Sequence, residues 1–557
     1  MKLLSEKAFS LFASYISLYN LLRIKQSSAE IFFRETERIC IMTKILYVPL
    51  DDRDCNYEFP WLLSKMTEDI ELLRPPYEWM GFLKTPAKRD KIWQWIFEQA
   101  PFCEYAILSV DTLIYGNIIG SRTHHYTLEE CSQTMDLFRQ LKGQNPHLHI
   151  HAFNLAARVA AYNDSHEDPE YWQNFGYDIW RYTWLLDKQS RFHITAEELQ
   201  ELTDLKEKIP SEILDDFLTR RKTNRLVNLT SVELVKENVF DILTVPKDDT
   251  AEYGYAALDQ IAIMDKTQKE NLTDRVYCYP GADEAGSIIF ARVFGLIKHH
   301  SPVFYVRYSS LSGSNVVPLY EDRPLGESIK WQIFSAGGIC TETPTDATCM
   351  LAVNAPGKQQ IESGNQKTGR IFASDNATNP EELLRYIHFF RKQYDKPVGI
   401  SDVTMANGCD NIFMERARCH KIFDEITVLG GWNTAENTNG VVIAVLSIAS
   451  YYQNWKEYPV LRKEADTFLL RALIADWLCQ ANVLQDFVSD YAPAHQINPY
   501  FLEEHTDEAT DYFITNLRQL VLDKLDNRLK EQPVFLENIR FNWNGAYYFA
   551  IDAKIGS

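Results

Sequence analysis

Nine short, unbroken apolar runs, each followed by a helical stretch, constrain this chain more than any other feature. They are KILYVPL (44–50), YAILSV (105–110), HIHAFNL (149–155), FDILTV (240–245) and RVYCYP (275–280), then VFYVRY (303–308), CMLAVN (349–354), PVGISDV (397–403) and ITVLGG (426–431). Continuous rather than alternating apolar character marks strands covered on both faces, as in parallel sheets. Helical periods such as TLEECSQTMDLFRQLKG (127–143) and DEAGSIIFARVFGLIKH (283–299) lie between them. Alternating β and α over such a length predicts a parallel α/β architecture. The first expectation is a TIM-like (β/α)8 barrel, whose strand C-termini all meet on one face. The alternative is two open doubly wound α/β lobes, into which the nine runs divide as five and four.

Two segments break the rhythm. Residues 160–238 are polar and helical and read as an insertion into an α/β body spanning 42–440. From 441 to 557 the pattern is mostly helical, closing on the aromatic run FNWNGAYYFAI (541–551). Residues 1–41 read as an extension outside the fold. Their apolar stretch AFSLFASYISLYNLL (8–22) is interrupted by Ser, Tyr and Asn and is followed by no small-x-small cleavage site, and MTKILYVPL at Met42 has the form of a native start. A cleaved or anchoring helix is the alternative there.

The chain's 77 acidic against 57 basic residues leave a formal charge of −20. Such a surface repels phosphate backbones and anionic lipid, so neither nucleic acid nor membrane is an expected partner. The ten cysteines form no C-x-x-C and no zinc-type cluster, which fits reduced thiols in a cytoplasmic protein. Phosphate-binding glycine motifs, the G-x-S-x-G elbow and H-E-x-x-H are missing, so no cofactor and no metal are expected. The expected partner is a small molecule or an oligosaccharide; the oligomeric state stays open.

The positions of the acids and amides carry the functional reading. Run after run ends in them: Asp51 and Asp52 with Arg53, Asp111, Asn154, the doublet Asp248-Asp249, Asp283 and Glu284, Asp402 with Asn407, and Asn433 beside Trp432. Strand C-termini converge in either architecture. Converging carboxylates repel unless protonated or paired, which usually has a functional reason. Local explanations compete. Asp249 could cap a helix starting near Glu252, although only one of two adjacent acids can be the cap. Asp283-Glu284 suits the positive end of a helix. Asp51 and Asp52 could simply pair with Arg53. In GGWNTAENTNG (430–440), Trp432 among amides suits a sugar ring, apolar face on the indole and hydroxyls on the amides; a buried structural Trp is the alternative.

The ordered motifs YVPLDDRDCN, SVDTLIYGNIIGSR, VPKDDTAEYG, YPGADE, YEDRPLGES and GGWNTAENTNG resemble a bacterial family known only as a domain of unknown function. The resemblance runs from about Lys44 to the C-terminus. That family usually has Pro where this chain has Asp54. The motif order is also similar to β-N-acetylglucosaminidases of the O-GlcNAc hydrolase and bacterial hyaluronidase type, which are (β/α)8 barrels with an Asp-Asp pair after strand four. That likeness implies cleavage assisted by the substrate's own 2-acetamido group, with Asp248 orienting the acetamido N–H and Asp249 the general acid. By the same carry-over Asp402, Asn407 and Asn433 bind hydroxyls and Trp432 stacks on the ring. Two other readings stand beside this glycosidase. One is a divalent-metal hydrolase built on Asp51, Asp52, Asp111, Asp248 and Asp283. The other is a two-lobed carbohydrate-binding protein without catalysis.

Overall fold

The computed structural model describes residues 42–368, 377–525, 529 and 532–556. Residues 1–41, expected as an extension, lie outside that set.

Every one of the nine apolar runs forms a strand. The first sheet contains β1 (Thr43–Val48), β2 (Ile70–Leu73), β3 (Tyr105–Ser109), β4 (His149–Phe153), β5 (Ile242–Lys247) and β6 (Val276–Pro280), in the order β2-β1-β3-β4-β5-β6. The pairs β1/β3, β3/β4, β4/β5 and β5/β6 are parallel. The second sheet contains β7 (Val303–Tyr308), β8 (Ile339–Thr341), β9 (Cys349–Asn354), β11 (Val398–Asp402) and β13 (Val428–Gly430), in the order β13-β11-β9-β7-β8, parallel throughout. Two-residue strands β10 (Ile361–Glu362) and β12 (Met405–Ala406) pair between them.

The strands therefore form two sheets with free edges, not one ring of eight. The correction has a plain cause. Each sheet opens with a strand flanked by a short edge strand (β2 beside β1, β8 beside β7), so the second has the doubly wound order 2-1-3-4-5 and the first the same order with a sixth strand added, each ending on an edge. In such sheets ligands bind outside the strand C-termini, where the order reverses.

Side chains alternate across each sheet into different cores. Ile45 and Tyr47 of β1 pack into a central core with Ile289, Val293, Val442 and Leu446, while Leu46 and Val48 face an outer core with Ile92, Trp93 and Phe138. On β9, Cys349, Leu351 and Val353 face the same central core, and Met350 and Ala352 face a second outer one with Leu383 and Phe413. Helices Ala285–Lys298 and Ala435–Tyr451 thus form a layer shared by both sheets. The second is buried from Ala435 to Ser450 and, after its polar first turns (Glu436–Asn439), apolar nearly all round, as a helix covered on every side must be. Gly440 permits its close approach to the first, since a methyl group there would overlap the Glu284 side chain.

Between β4 and β5 stand helices Trp172–Arg191, Ala196–Lys208 and Ser211–Lys236, with their own small core. Beyond residue 441 the chain departs from the expectation that strands end. Antiparallel strands β14 (Val534–Phe541) and β15 (Phe549–Ile555) pair and pack on the C-terminal helices. The long helical stretch Pro459–His495 is long and apolar enough to cross a membrane, but 67% of its apolar window is buried within the fold.

Candidate functional site

The C-terminal ends of both sheets open onto one cavity of about 500 Å³. From the expected set it is lined by Arg53 after β1, Asp248 and Asp249 after β5, Asp283 after β6, Asn407 after β12, and Trp432 with Asn433 after β13. Residues from opposite ends of the chain meet here because two parallel sheets present their loops to a common space.

The doublet is not a helix cap. The following helix begins only at Tyr255, with Gly254 at its N-cap. Each acid instead has its own arginine. Arg122 binds Asp248 Oδ2 through Nε (3.2 Å) and Nη2 (2.6 Å), and Arg158 Nη1 lies 3.0 Å from Asp249 Oδ2. Both guanidiniums also reach Glu167, at 2.6 Å from Arg122 and 3.1 Å from Arg158, and Tyr548 donates its hydroxyl to the same carboxylate. The Asp248 side chain is 8% exposed and that of Asp249 28%, so Asp249 is the member open to the cavity.

On the opposite lobe edge, Arg53 clamps two acids. Its Nη2 is 2.6 Å from both Asp51 Oδ2 and Asp283 Oδ1, and Asn56 Nδ2 bridges the same pair at 3.1 and 3.0 Å. Asn433 Nδ2 reaches Asp283 Oδ2 at 3.3 Å. The guanidinium also lies 4.5 Å over the Trp543 ring. Glu362 of β10 ties Asn407 (2.9 Å) to the Tyr320 hydroxyl (2.6 Å).

Four non-glycine residues of this cavity have left-handed backbone. Asp249 (φ 33°), Tyr320 (φ 70°), Asn407 (φ 59°) and Asn433 (φ 51°) all line it in the left-handed region. Such conformations cost about 1–3 kcal/mol each and persist where the surroundings over-determine them, typically at ligand sites. Buried polar atoms without a protein partner also belong to its wall: Trp432 Nε1 and Thr434 Oγ1. A smaller, largely apolar side chamber of about 70 Å³ shares Phe59, Trp432, Asp54 and Asp476 with it.

The remaining expected residues do not line the cavity. Asp51 is behind Arg53. Asp52 accepts the Trp543 indole N–H at 2.8 Å. Asp111 accepts from Leu155 N (2.8 Å) and Asn154 Nδ2 (3.2 Å), which ties β3 to β4, and Asn154 in turn accepts from Asn228 and Ser231. Asp402 accepts from Asn354 Nδ2 (2.9 Å) and Asp410 N (2.8 Å), which joins the ends of β9 and β11. Glu284 is buried under the cavity floor, accepting from Ala282 N. Convergence at strand ends holds for these residues, but buried polar partners consume their side chains. Among the described residues no group of three or more His, Cys, Asp or Glu is placed to hold a metal ion.

Reading the sequence did not single out Arg122, Arg158, Tyr162, Glu167, Tyr320, Glu362, Glu436, Asp476 or the C-terminal Tyr547 and Tyr548. Arg122 closes the motif SVDTLIYGNIIGSR and was legible as a charge in an apolar loop; Arg158 in LAARVA is similar. The C-terminal aromatics reach the cavity from the β14–β15 hairpin loop, which carries no local signal of a ligand site. Asp476 projects from a π-helical segment, Leu473–Val483, of the kind found at functional sites.

Burial pushes several carboxyls far up. Asp52, Asp54 and Asp249 rise to about 6, Asp111 to about 7, and Asp476 and Glu284 to about 8. For Asp249 the Arg158 charge opposes that rise and the Asp248 charge adds to it. Burial also pushes Glu321 and Glu436 up, and the two are hydrogen-bonded to each other, an arrangement that needs a shared proton. Glu167 goes the other way: burial raises it, but Arg158 and Arg122 pull it well below the usual range.

A stability profile follows from these directions. A carboxyl raised in the folded state binds its proton more tightly than in the unfolded chain, so stability falls as pH rises between the two values. The melting temperature is therefore expected to decline as pH rises from about 4 to about 8. Glu167 has the opposite sign, its stabilisation being lost as pH falls below about 4.5. Thermal unfolding across pH checks this, and Asp476→Asn is expected to flatten the upper end of the decline.

No curated protein matches this chain. A family model described as "Protein of unknown function (DUF4127)" matches residues 45–552, and the chain belongs to that family.

Proposed function

We propose that the cavity binds a neutral polyhydroxylated ring and that the protein is a glycoside hydrolase-like enzyme with Asp249 as general acid. One observation carries the reading: Asp249 is the member of the doublet open to the cavity, its side chain 28% exposed against 8% for Asp248, and burial raises its pKa to about 6 against the pull of Arg158. That combination is what a proton donor to a leaving oxygen requires. Asp248, held by Arg122, supplies the adjacent negative charge and, on an N-acetylhexosaminide, the acceptor for the acetamido N–H. Trp432 offers a ring wall, and Asn407, Asn433 and Thr434 offer donors and acceptors for hydroxyls. Every arginine on the wall is already paired with a carboxylate, which favours an uncharged ligand over an anionic one.

Two open parallel sheets, not a barrel, carry these residues, and the chemistry follows from the cavity they line. A cytoplasmic location belongs to the same proposal, supported by nine free cysteines among the described residues. A panel of aryl glycosides, N-acetylhexosaminides included, tests the reading by release of the aryl group. Absence of turnover across the panel, together with a sugar recovered intact after binding, favours the non-catalytic binder instead. Trp432→Ala is expected to weaken sugar binding by roughly tenfold, the worth of one aromatic face, as measured by titration calorimetry.

A further inference from the structure

We infer that the side chamber beside Trp432 is a subsite for a short hydrocarbon substituent carried by the ring in the main cavity. It has that role only if the main cavity holds a ring, as proposed above. The chamber measures about 70 Å³. One water-sized group needs about 10–15 Å³ of such space, so the chamber admits about five, the size of a short alkyl chain.

Its two ends differ in chemistry. The mouth is the wall shared with the main cavity: Asp54, Phe59, Trp432, Ala475, Asp476 and Phe549. Both acids of the chamber belong to this end. Asp54 lies 3.5 Å from Arg540, and Asp476 accepts from Gly431 N at 3.0 Å. Burial raises the Asp476 carboxyl to about 8, so it is largely uncharged at neutral pH. The inner wall is formed by Leu429, Val441, Phe468 and Ile551, each no more than 5% exposed, with Ala472 and Ala550. Alanine at 472 and 550 leaves space that longer side chains would fill. Arg471 is the charged member of the inner wall and is paired with Asp552 at 3.2 Å.

Water suits the inner end poorly. An ordered water needs about two to four polar partners. The buried nitrogens of wall residues that lack a protein partner are Trp432 Nε1 and Arg471 Nε. They suffice for one water in a space for about five. A charged substituent would lose its hydration against Leu429, Val441 and Phe468 without a partner to replace it. A chain with an oxygen or nitrogen link at the polar mouth and hydrocarbon beyond it matches both ends. Because Trp432 and Phe59 belong to both spaces, a ring lying on Trp432 can direct such a chain inward.

The test uses the full chain. Crystals are pressurised with xenon, which enters apolar space. Titration calorimetry then measures n-alkyl glycosides of N-acetylglucosamine, methyl to hexyl, and its methyl glycoside carrying N-acyl or 6-O-acyl chains, acetyl to hexanoyl. A xenon peak against Val441 and Phe468 is expected. In one of the series affinity is expected to rise about fourfold per added methylene and to level off near about five carbons. The series that rises identifies the ring atom that bears the chain. Ala472→Leu fills the chamber from a position outside the main cavity and is expected to abolish the rise. A rise that survives in the folded variant places the chain elsewhere and overturns the subsite. Sugars that bind with no dependence on chain length in any series also overturn it, and leave the ring site standing. Absence of binding by every sugar overturns both. If Ala472→Leu does not fold, or xenon and calorimetry disagree, the wild-type series decide.

Discussion

Asp249→Asn is expected to lower aryl glycoside turnover by at least about 100-fold, the usual worth of a positioned general acid, while the protein still folds. Folding survives for a specific reason. Residue 249 sits at φ 33°, and Asn is among the few residues that accept the left-handed region. Arg158 keeps Glu167 and Asp168 as partners when the Asp249 charge is gone. The substitution therefore removes a proton donor without leaving a buried cation alone. In the wild type, activity is expected to fall as pH rises through about 6, where Asp249 loses its proton. Steady-state kinetics on both proteins, with unfolding curves alongside, check the prediction. Wild-type turnover in the variant removes Asp249 from the chemistry.

Arg53→Met is expected to produce the largest stability loss, about 3–5 kcal/mol, the usual cost of breaking a buried ion pair from one side. Asp51 has no exposed side-chain surface and Asp283 only 5%, so both would be left charged and unpaired. Asn56 alone cannot neutralise them. The denaturant midpoint reads the effect. Adding Asp283→Asn removes one of the two stranded charges and is expected to recover part of the loss. That non-additivity separates the clamp from a mere packing defect. Equal losses for the single and double variants would show that Arg53 acts through its contact with Trp543 instead.

Some of this is legible in the amino-acid sequence alone. Nine apolar runs named nine strands, because burial on both faces of a parallel sheet demands continuous apolar character. Edge strands β2 and β8 were not legible: Ile70–Leu73 is half-buried in alternation and Ile339–Thr341 is largely exposed, so neither carries that signature. Asp249, Trp432 and Asn433 were legible as candidates because unusual residues at strand ends have few local uses. Asp111 and Asp402 looked the same and proved to be ties between neighbouring strands. One sequence cannot tell a carboxylate facing a cavity from one facing a buried amide.

By itself the sequence determined the α/β class, the strand positions and the pool of polar strand ends, since these depend on periodicity and local chemistry. Only the tertiary structure decided that the strands make two open sheets, and that Arg122 and Arg158 meet the doublet. It alone brought the C-terminal hairpin's tyrosines, some three hundred residues from Asp249 along the chain, into the same cavity. Those outcomes depend on contacts between distant segments, and local patterning carries no record of which faces will meet.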